Sequence, residues 1–506
     1  MGGPTRLSTS IRRRFVFTVG TNLLRGLTGF ATGMLLARWL GPESYGTMSF
    51  LLGTMVALCQ LLDLGSSSAF FTFLSQKSRS RRFVFLYFAW LAFQLVGFLL
   101  IVGVLLPAHW LASVWQQQPR SLVLLAFAAA FFQNSAWPAI QQAGESQRRT
   151  QRVQGIGAVV ALGHLGVVVL LARIGTLGLY ALFAAVVVEH TVACVLAHRG
   201  FTYTSKDDAE PVLPLYARYC TPLILYSIVG FAYAFWDRWL LQRFGGSVEQ
   251  AYYGIGAQVA SLALITTLAM LRIFWKESSE AHHSGDIERM RRLYHRVSRI
   301  MFFIAAAVAG FLVPWSKALV LLLLGPEYAS GAVTLAVMFL YPIHQSLGQI
   351  VGTLFLATEK VALQVKIGIA FMFAGVVVTY FVLAPADAAL PGLALSSKGL
   401  AVKMVVLQLL QVNILAFVAA RLWGWKFEWL FQPLTLLVCG ACGWLAQRAA
   451  ASIGGSLPIP AAMALGLAFY GTAMAFLVLS FPALIGLTRS ELLAELQRTR
   501  RAVKPV

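Results

Sequence analysis

Fourteen apolar runs, each long enough to cross a hydrocarbon layer about 30 Å thick, follow one another along this chain of 506 residues. Backbone inside such a layer must satisfy its own N–H and C=O groups, which leaves helices and closed barrels. Runs of about 20 residues fit helices, because a barrel strand needs only about ten. The runs lie at 15–38, 46–74, 83–106, 121–142, 153–172, 177–197, 219–243, 251–275, 297–324, 331–356, 361–383, 393–420, 430–449 and 461–481. The expected fold is therefore all-α, a polytopic membrane protein. Composition closes the other routes. Hydrophobic residues make up 58% and charged ones 12%. So much apolar surface cannot be hidden in a soluble core, and a disordered chain is poor in these same residues.

The net charge is +21. In a soluble domain that excess would suggest nucleic acid, but here it sits in short loops between the apolar runs, which argues against a nucleic-acid partner. With the N-terminus inside, 29 Lys and Arg fall on cytoplasmic segments against eight on the opposite side. That asymmetry predicts that both termini are cytoplasmic. Arg12-Arg13-Arg14 precedes the first run as an anchor and no small-residue cleavage site closes it, so no cleavable signal peptide is expected. In the longest cytoplasmic loop Ile287, Met290, Tyr294 and Val297 alternate with Arg289, Arg291, Arg292 and Arg296. This spacing predicts a basic amphipathic helix lying on the inner leaflet. The nearby His282, His283 and His295 fit no metal motif. Cys59, Cys194, Cys220, Cys439 and Cys442 read as small core residues, the Cys439-x-x-Cys442 pair included.

A weak repeat is visible. Arg38-Trp39-Leu40 followed by Tyr45-Gly46 returns as Arg238-Trp239-Leu240 followed by Tyr253-Gly254, with a longer connection. The two copies occupy equivalent places if helices 1–6 and 7–12 are related halves, a transporter architecture. The expected division is residues 1–200, 201–425 and 426–506: two six-helix bundles and an appended pair, helices 13 and 14, with a cytoplasmic tail.

Polar residues inside the apolar runs mark candidate function. Thr18, Thr21, Asn22, Arg25, Thr28, Gly29 and Thr32 form one stripe on the first helix, with Arg25 near its middle. A charge at that depth costs about 2.5–3.5 kcal/mol on insertion scales, so it should face protein or a wet cavity. Arg272 and Lys403 are the other deep cations. Asp63 on the second helix could pair with Arg25 or take a coupling cation. Asp237 beside Arg238 reads as a coupling group or an interfacial ion pair. Glu189, with His190 and His164, could relay protons or only satisfy helix contacts. Cations outnumber carboxylates among the deep groups, so a cavity lined by them would attract anions, and an arginine fork suits phosphate.

Short stretches resemble a known family. Leu35-Leu36-Ala37-Arg38-Trp39-Leu40-Gly41-Pro42-Glu43-Ser44-Tyr45-Gly46 is similar to the first helix–loop signature of polysaccharide (O-antigen-type) flippases. Leu62-Asp63-Leu64-Gly65-Ser66-Ser67-Ser68-Ala69 resembles their second helix. Leu324-Gly325-Pro326-Glu327-Tyr328-Ala329 resembles the loop after their ninth, and Ser284-Gly285-Asp286 opens the basic helix. The resemblance implies the multidrug/oligosaccharidyl-lipid/polysaccharide exporter superfamily and alternating access. A fourteen-helix layout resembles the lipid II flippases. In those, arginines on helices 1 and 8 hold the lipid pyrophosphate, which places Arg25 and Arg272 on the matching helices, and helices 13–14 form a groove for the tail.

Three functions are then in competition. The first is a flippase carrying a polyprenyl-pyrophosphate-linked oligosaccharide from the inner to the outer leaflet, with Arg25, Arg272, Lys403, Asn22 and Thr28 at the substrate and Asp63, Asp237 and Glu189 as coupling or charge-balancing groups. It needs no cofactor, and an ion gradient or the membrane potential would drive it, since no phosphate-loop motif is present. Its expected partners are membrane lipid, the anionic lipid-linked sugar and polysaccharide polymerase machinery, with a monomeric transport unit. The second is a multidrug exporter, which would want unpaired carboxylates for organic cations. The third is a membrane-embedded glycan polymerase or ligase, for which the short external loops leave little room. The expectation is a transporter and not an enzyme.

Overall fold

The computed structural model describes residues 4–76, 80–202, 211–264, 267–454, 457–487 and 489–491, without the side chains of 4–16, 262–264, 267–269 and 272. Among the described residues the chain is helical, with no strand. In chain order the helices are α1 (Pro4–Asp63), α2 (Ser66–Gln76), α3 (Arg81–Leu100), α4 (Ala108–Val114), α5 (Arg120–Phe131), α6 (Trp137–Ser146), α7 (Thr150–Arg173), α8 (Leu179–His198) and α9 (Val212–Leu264). There follow α10 (Thr267–His283), α11 (Ile287–Leu312), α12 (Ser316–Leu323), α13 (Ala332–Met338), α14 (Tyr341–Ala357), α15 (Val361–Leu383), α16 (Ser396–Leu422), α17 (Phe431–Ile453) and α18 (Ile459–Ser480). Short π-helical turns extend α3 at Ile101–Leu105 and join α5 to α6 at Phe132–Ala136.

Eleven helices among the described residues are long and apolar enough to cross a membrane. The number differs from the fourteen expected runs for physical reasons. Two of the eleven, Phe17–Asp63 and Val212–Ser261, run to 47 and 50 residues. At about 1.5 Å per residue each is more than twice as long as a hydrocarbon layer is thick. The run at 331–356 is split instead into α13 and α14 by a break before Tyr341. The run at 46–74 is broken at Leu64 and Gly65, both of positive φ.

Each double-length helix folds at a glycine. Gly41 has φ 73° and ψ 169°, and Gly246 has φ 77° and ψ −176°. Gly325, before the 3-10 turn Pro326–Gly331, repeats this backbone with φ 102° and ψ 177°. That region of conformational space is essentially open only to glycine. Leu40-Gly41-Pro42-Glu43 and Leu324-Gly325-Pro326-Glu327 are therefore one corner used twice, with proline restarting a helix where its missing N–H costs nothing.

The chain divides into two compact units, residues 1–254 with 372–396, and residues 255–371 with 397–506. In the first, α1 packs against α5 and α7, and α8 against both of these. Phe50, Phe70, Phe83, Phe127 and Phe183 fill the space between helices. The corners carrying the sequence repeat meet one another here. Thr47 Oγ1 and Ser247 Oγ are 3.1 Å apart, and Gly46 approaches the Ser247 carbonyl too closely to allow a β-carbon. Arg238 donates to Ser49 Oγ at 2.9 Å and lies over the Tyr253 ring.

In the second unit α11 is the central pillar, packed on α10, α14 and α17. It crosses α17 backbone to backbone, since a β-carbon on Gly443 would run into the Gly310 carbonyl. Small residues at such crossings let helix dispersion contacts form where lipid removes the hydrophobic drive. Cys439 is buried at this crossing, and all five cysteines are free. Tyr470 donates to the Ala307 carbonyl at 2.7 Å, and Asn413 and Gln432 exchange hydrogen bonds between α16 and α17.

One expectation is overturned here. The basic segment at 287–297 is not a separate helix laid on the leaflet. It is the first half of α11, capped by Asp286, whose carboxylate accepts from Arg289 N at 2.8 Å. Its apolar face is covered by protein: Met290 and Tyr294 are buried, and the Tyr294 ring stacks on Trp425 at 5.4 Å. Amphipathic spacing states that one face is covered, and leaves open whether lipid or protein covers it.

Candidate functional site

The polar stripe of α1 opens onto a cavity of about 420 Å³ inside the first unit. Asn22, Arg25, Gly29 and Thr32 line it from α1, Gln133 and Trp137 from the π turn and α6, and His164 and His190 from α7 and α8. The helical repeat places these α1 residues on one face, and small residues make room for the arginine. Its guanidinium lies over Gly157, where a β-carbon would sit 3.4 Å from Cζ. Arg25 has no hydrogen-bond or ion-pair partner among the described residues. It is an arginine fork held in a half-buried cavity with its donors unused.

The imidazoles are held by their neighbours. His190 Nδ1 donates to the Val186 carbonyl at 2.9 Å, which turns its other nitrogen elsewhere. His164 Nδ1 stands 2.9 Å from Glu189 Oε2, while Glu189 Oε1 is buried with no partner among the described residues. The His164–Glu189 contact anticipated in sequence is therefore present, and it borders the Arg25 cavity through His164. Thr28, a member of the same stripe, is buried outside the cavity lining, and its carbonyl accepts from Thr32 Oγ1 at 2.8 Å.

Asp63 lies elsewhere. Its carboxylate accepts from Ser67 N at 2.9 Å, from Ser67 Oγ at 2.9 Å and from Ser66 Oγ at 3.0 Å. It thus caps α2 after the break at Gly65, the usual task of a residue ahead of a helix. It makes no ion pair with Arg25, so the pairing weighed in sequence does not form. Asp63 borders a second cavity of about 660 Å³, also within the first unit, with Gln60, Tyr87, Asn134, Gln142, Tyr226 and Tyr233 among its walls. Asp237 is buried and accepts from Thr379 Oγ1 at 2.6 Å. In the second unit Lys403 is 3% exposed on α16. The Arg272 side chain lies outside the described residues.

Gln133 and Asn134 escaped the sequence reading. They sit on the π turn between α5 and α6, a widened turn of a kind frequent at functional sites. Gln133 faces the Arg25 cavity and Asn134 the Asp63 cavity. The polar run Gln133-Asn134-Ser135 inside the apolar stretch at 121–142 was the available signal.

This multi-pass helical fold, with kinked double-length helices and a polar cavity in the first unit, is shared with solved structures. The chain superposes on lipid II flippase MurJ in an inward closed conformation with a TM-score of 0.64 at 11% identity, covering 92% of this chain and 99% of that one. An inward-facing multidrug resistance MATE family transporter of the MOP superfamily gives 0.58 at 16% identity, over 79% and 94%. A MOP superfamily transporter from Pyrococcus furiosus gives 0.52 at 15% identity, over 82% and 95%. No curated protein matches the sequence significantly. Residues 35–333 match the model of a family described as polysaccharide biosynthesis protein, and the chain belongs to that family.

Proposed function

We propose that this protein is a flippase that moves a polyprenyl-pyrophosphate-linked oligosaccharide from the cytoplasmic to the outer leaflet by alternating access. The reading rests on Arg25, an arginine without a partner among the described residues, in a polar cavity inside the apolar part of a chain that belongs to a polysaccharide biosynthesis family. Its fork can hold two phosphate oxygens at once, with Asn22 and Gln133 beside it as amide donors. A multidrug exporter for organic cations would be poorly served by this arginine. Lys403 and Arg272 are proposed for the same anion chemistry in the second unit, and Thr28, buried on the stripe, for a supporting role there.

Among the candidate coupling groups Asp63 is engaged as a helix cap and Asp237 by Thr379, whereas Glu189 retains a buried oxygen with no partner among the described residues. Glu189 with His164 is therefore the coupling group we favour, driven by an ion gradient or the membrane potential. The remaining parts of the proposal are the inner membrane, cytoplasmic termini, a monomeric unit without enzymatic activity, and contact with polysaccharide polymerase machinery.

Lipid extracts of cells lacking the gene test it. Complete repeat units on polyprenyl pyrophosphate should accumulate on the cytoplasmic leaflet and be seen by mass spectrometry. Sensitivity to cationic drugs without such accumulation would favour the exporter, and exported but unpolymerised units an enzyme acting later. Arg25→Lys should restore less than about a tenth of the flipping, since a point charge replaces a bidentate fork at a cost of about 1.5–3 kcal/mol. Full complementation by that variant would remove phosphate recognition from Arg25.

A further inference from the structure

The two cavities of the first unit share a wall. On the segment running from the π turn into α6, Gln133 and Trp137 face the Arg25 cavity, while Asn134, Ser135, Pro138 and Gln142 face the Asp63 cavity. Successive residues on a helix point about 100° apart, so neighbours on this one segment line different cavities. The chemistry on the two sides is opposite. The first cavity carries a cation and two imidazoles. Among the described residues lining the second, Asp63 is the only Asp, Glu, Lys, Arg or His, and amide, hydroxyl and tyrosine groups supply the remaining polar contacts.

A diphosphate would be repelled from such a lining, whereas a neutral polyhydroxylated ligand suits it. Gln142 Oε1 is a buried acceptor with no partner among the described residues, so a hydroxyl that donates to it would relieve an unmet hydrogen bond. Asp63 is held in place by the α2 cap and has lone pairs beyond those its serine partners use. Tyr226, about half exposed, and Tyr233 offer ring faces, each with a polar tip, against which the apolar face of a sugar ring can lie. Asn134 is steadied by donation from Nδ2 to the Ala130 carbonyl at 3.0 Å.

We propose that the Asp63 cavity is a sugar subsite, which holds a neutral saccharide through Gln142, Asp63 and Asn134 and the rings of Tyr226 and Tyr233, separate from the phosphate subsite at Arg25. This rests on the flippase reading above and adds a division of labour to it: one wall, with Gln133 and Asn134 adjacent on it, addresses both ends of a glycosyl diphosphate. Specificity for the sugar then resides in the second cavity, and the first is indifferent to it.

Binding to the purified full-length protein in detergent tests the division with two probes, inorganic pyrophosphate and the lipid-linked saccharide extracted from cells lacking the gene. Gln142→Leu removes an acceptor that has no donor among the described residues, and Tyr226→Leu changes an exposed side chain, so both variants should fold. Each should weaken the lipid-linked saccharide about tenfold, equivalent to about 1.4 kcal/mol, and leave pyrophosphate unchanged. Arg25→Gln should weaken both probes. Wild-type affinity for the saccharide in the Gln142→Leu, Tyr226→Leu double variant overturns the sugar subsite, as does an equal loss of pyrophosphate in it. Unchanged pyrophosphate binding in Arg25→Gln overturns the phosphate assignment alone, and the saccharide measurement then still decides the second cavity. Absence of any lipid-linked saccharide in the extract overturns the flippase reading and this inference with it.

Discussion

Arg25 and Glu428 show two ways in which this chain keeps a charge away from bulk water. Arg25 was legible in sequence because a cation near the middle of an apolar run is rare and expensive. That it lacks a described partner was not legible, since Asp63 stood on the next helix with the right sign. The structure assigns Asp63 to the α2 cap, a local demand created by the break at Gly65. Glu428, in the loop after α16, is the opposite case. Its carboxyl is held down to about 2, first by the hydrogen bond from His295 and then by Arg299, whose Nε donates to it at 2.8 Å, while partial burial works the other way. A folded value below the ordinary one means that the unfolded chain binds more protons in this range. The clamp therefore contributes its full stability above about pH 4.5 and loses it progressively as the pH falls toward about 2. Melting of the detergent-solubilised protein should fall across this window. Glu428→Gln should melt lower at neutral pH and show a flatter acid profile, and an unchanged slope would remove Glu428 from the acid response.

At the scale of elements, the glycine corners carry the clearest lesson. The repeat was visible as Arg-Trp-Leu and Tyr-Gly pairs, yet the structural identity lies at Gly41, Gly246 and Gly325, where the backbone enters a region closed to other residues. Gly41→Ala should lower stability by about 1–3 kcal/mol through backbone strain alone. Gly471→Ala, on α18 with open space around it and no positive φ, should be neutral or slightly stabilising. Thermal unfolding of the two variants side by side checks this, and equal melting points would count against a strained corner. The amphipathic half of α11 teaches the complementary point. Its spacing correctly identified a covered face, but Trp425 and the loop around it supply the cover, from a place more than a hundred residues along the chain.

For the whole molecule, the distribution of charge makes its own prediction. Lys and Arg concentrate on the connections assigned to the cytoplasm, and this bias orients a multi-pass protein during insertion. Alkaline phosphatase fused to the C-terminus should be inactive and a fluorescent protein fused there should fluoresce; the reverse pattern would invert the topology. Hydropathy along the chain is enough to establish the helical class and the many crossings, because the free energy of burying a run in hydrocarbon adds up residue by residue. The charged residues that interrupt the apolar runs are legible in the same way, since the cost of each depends on its own position. Packing in three dimensions was needed to show that Arg25 has no partner among the described residues, that Gln133 and Asn134 look into different cavities, and that α11 packs on Trp425. Each of these depends on which faces meet across large separations in sequence, and no local sum along the chain contains that information.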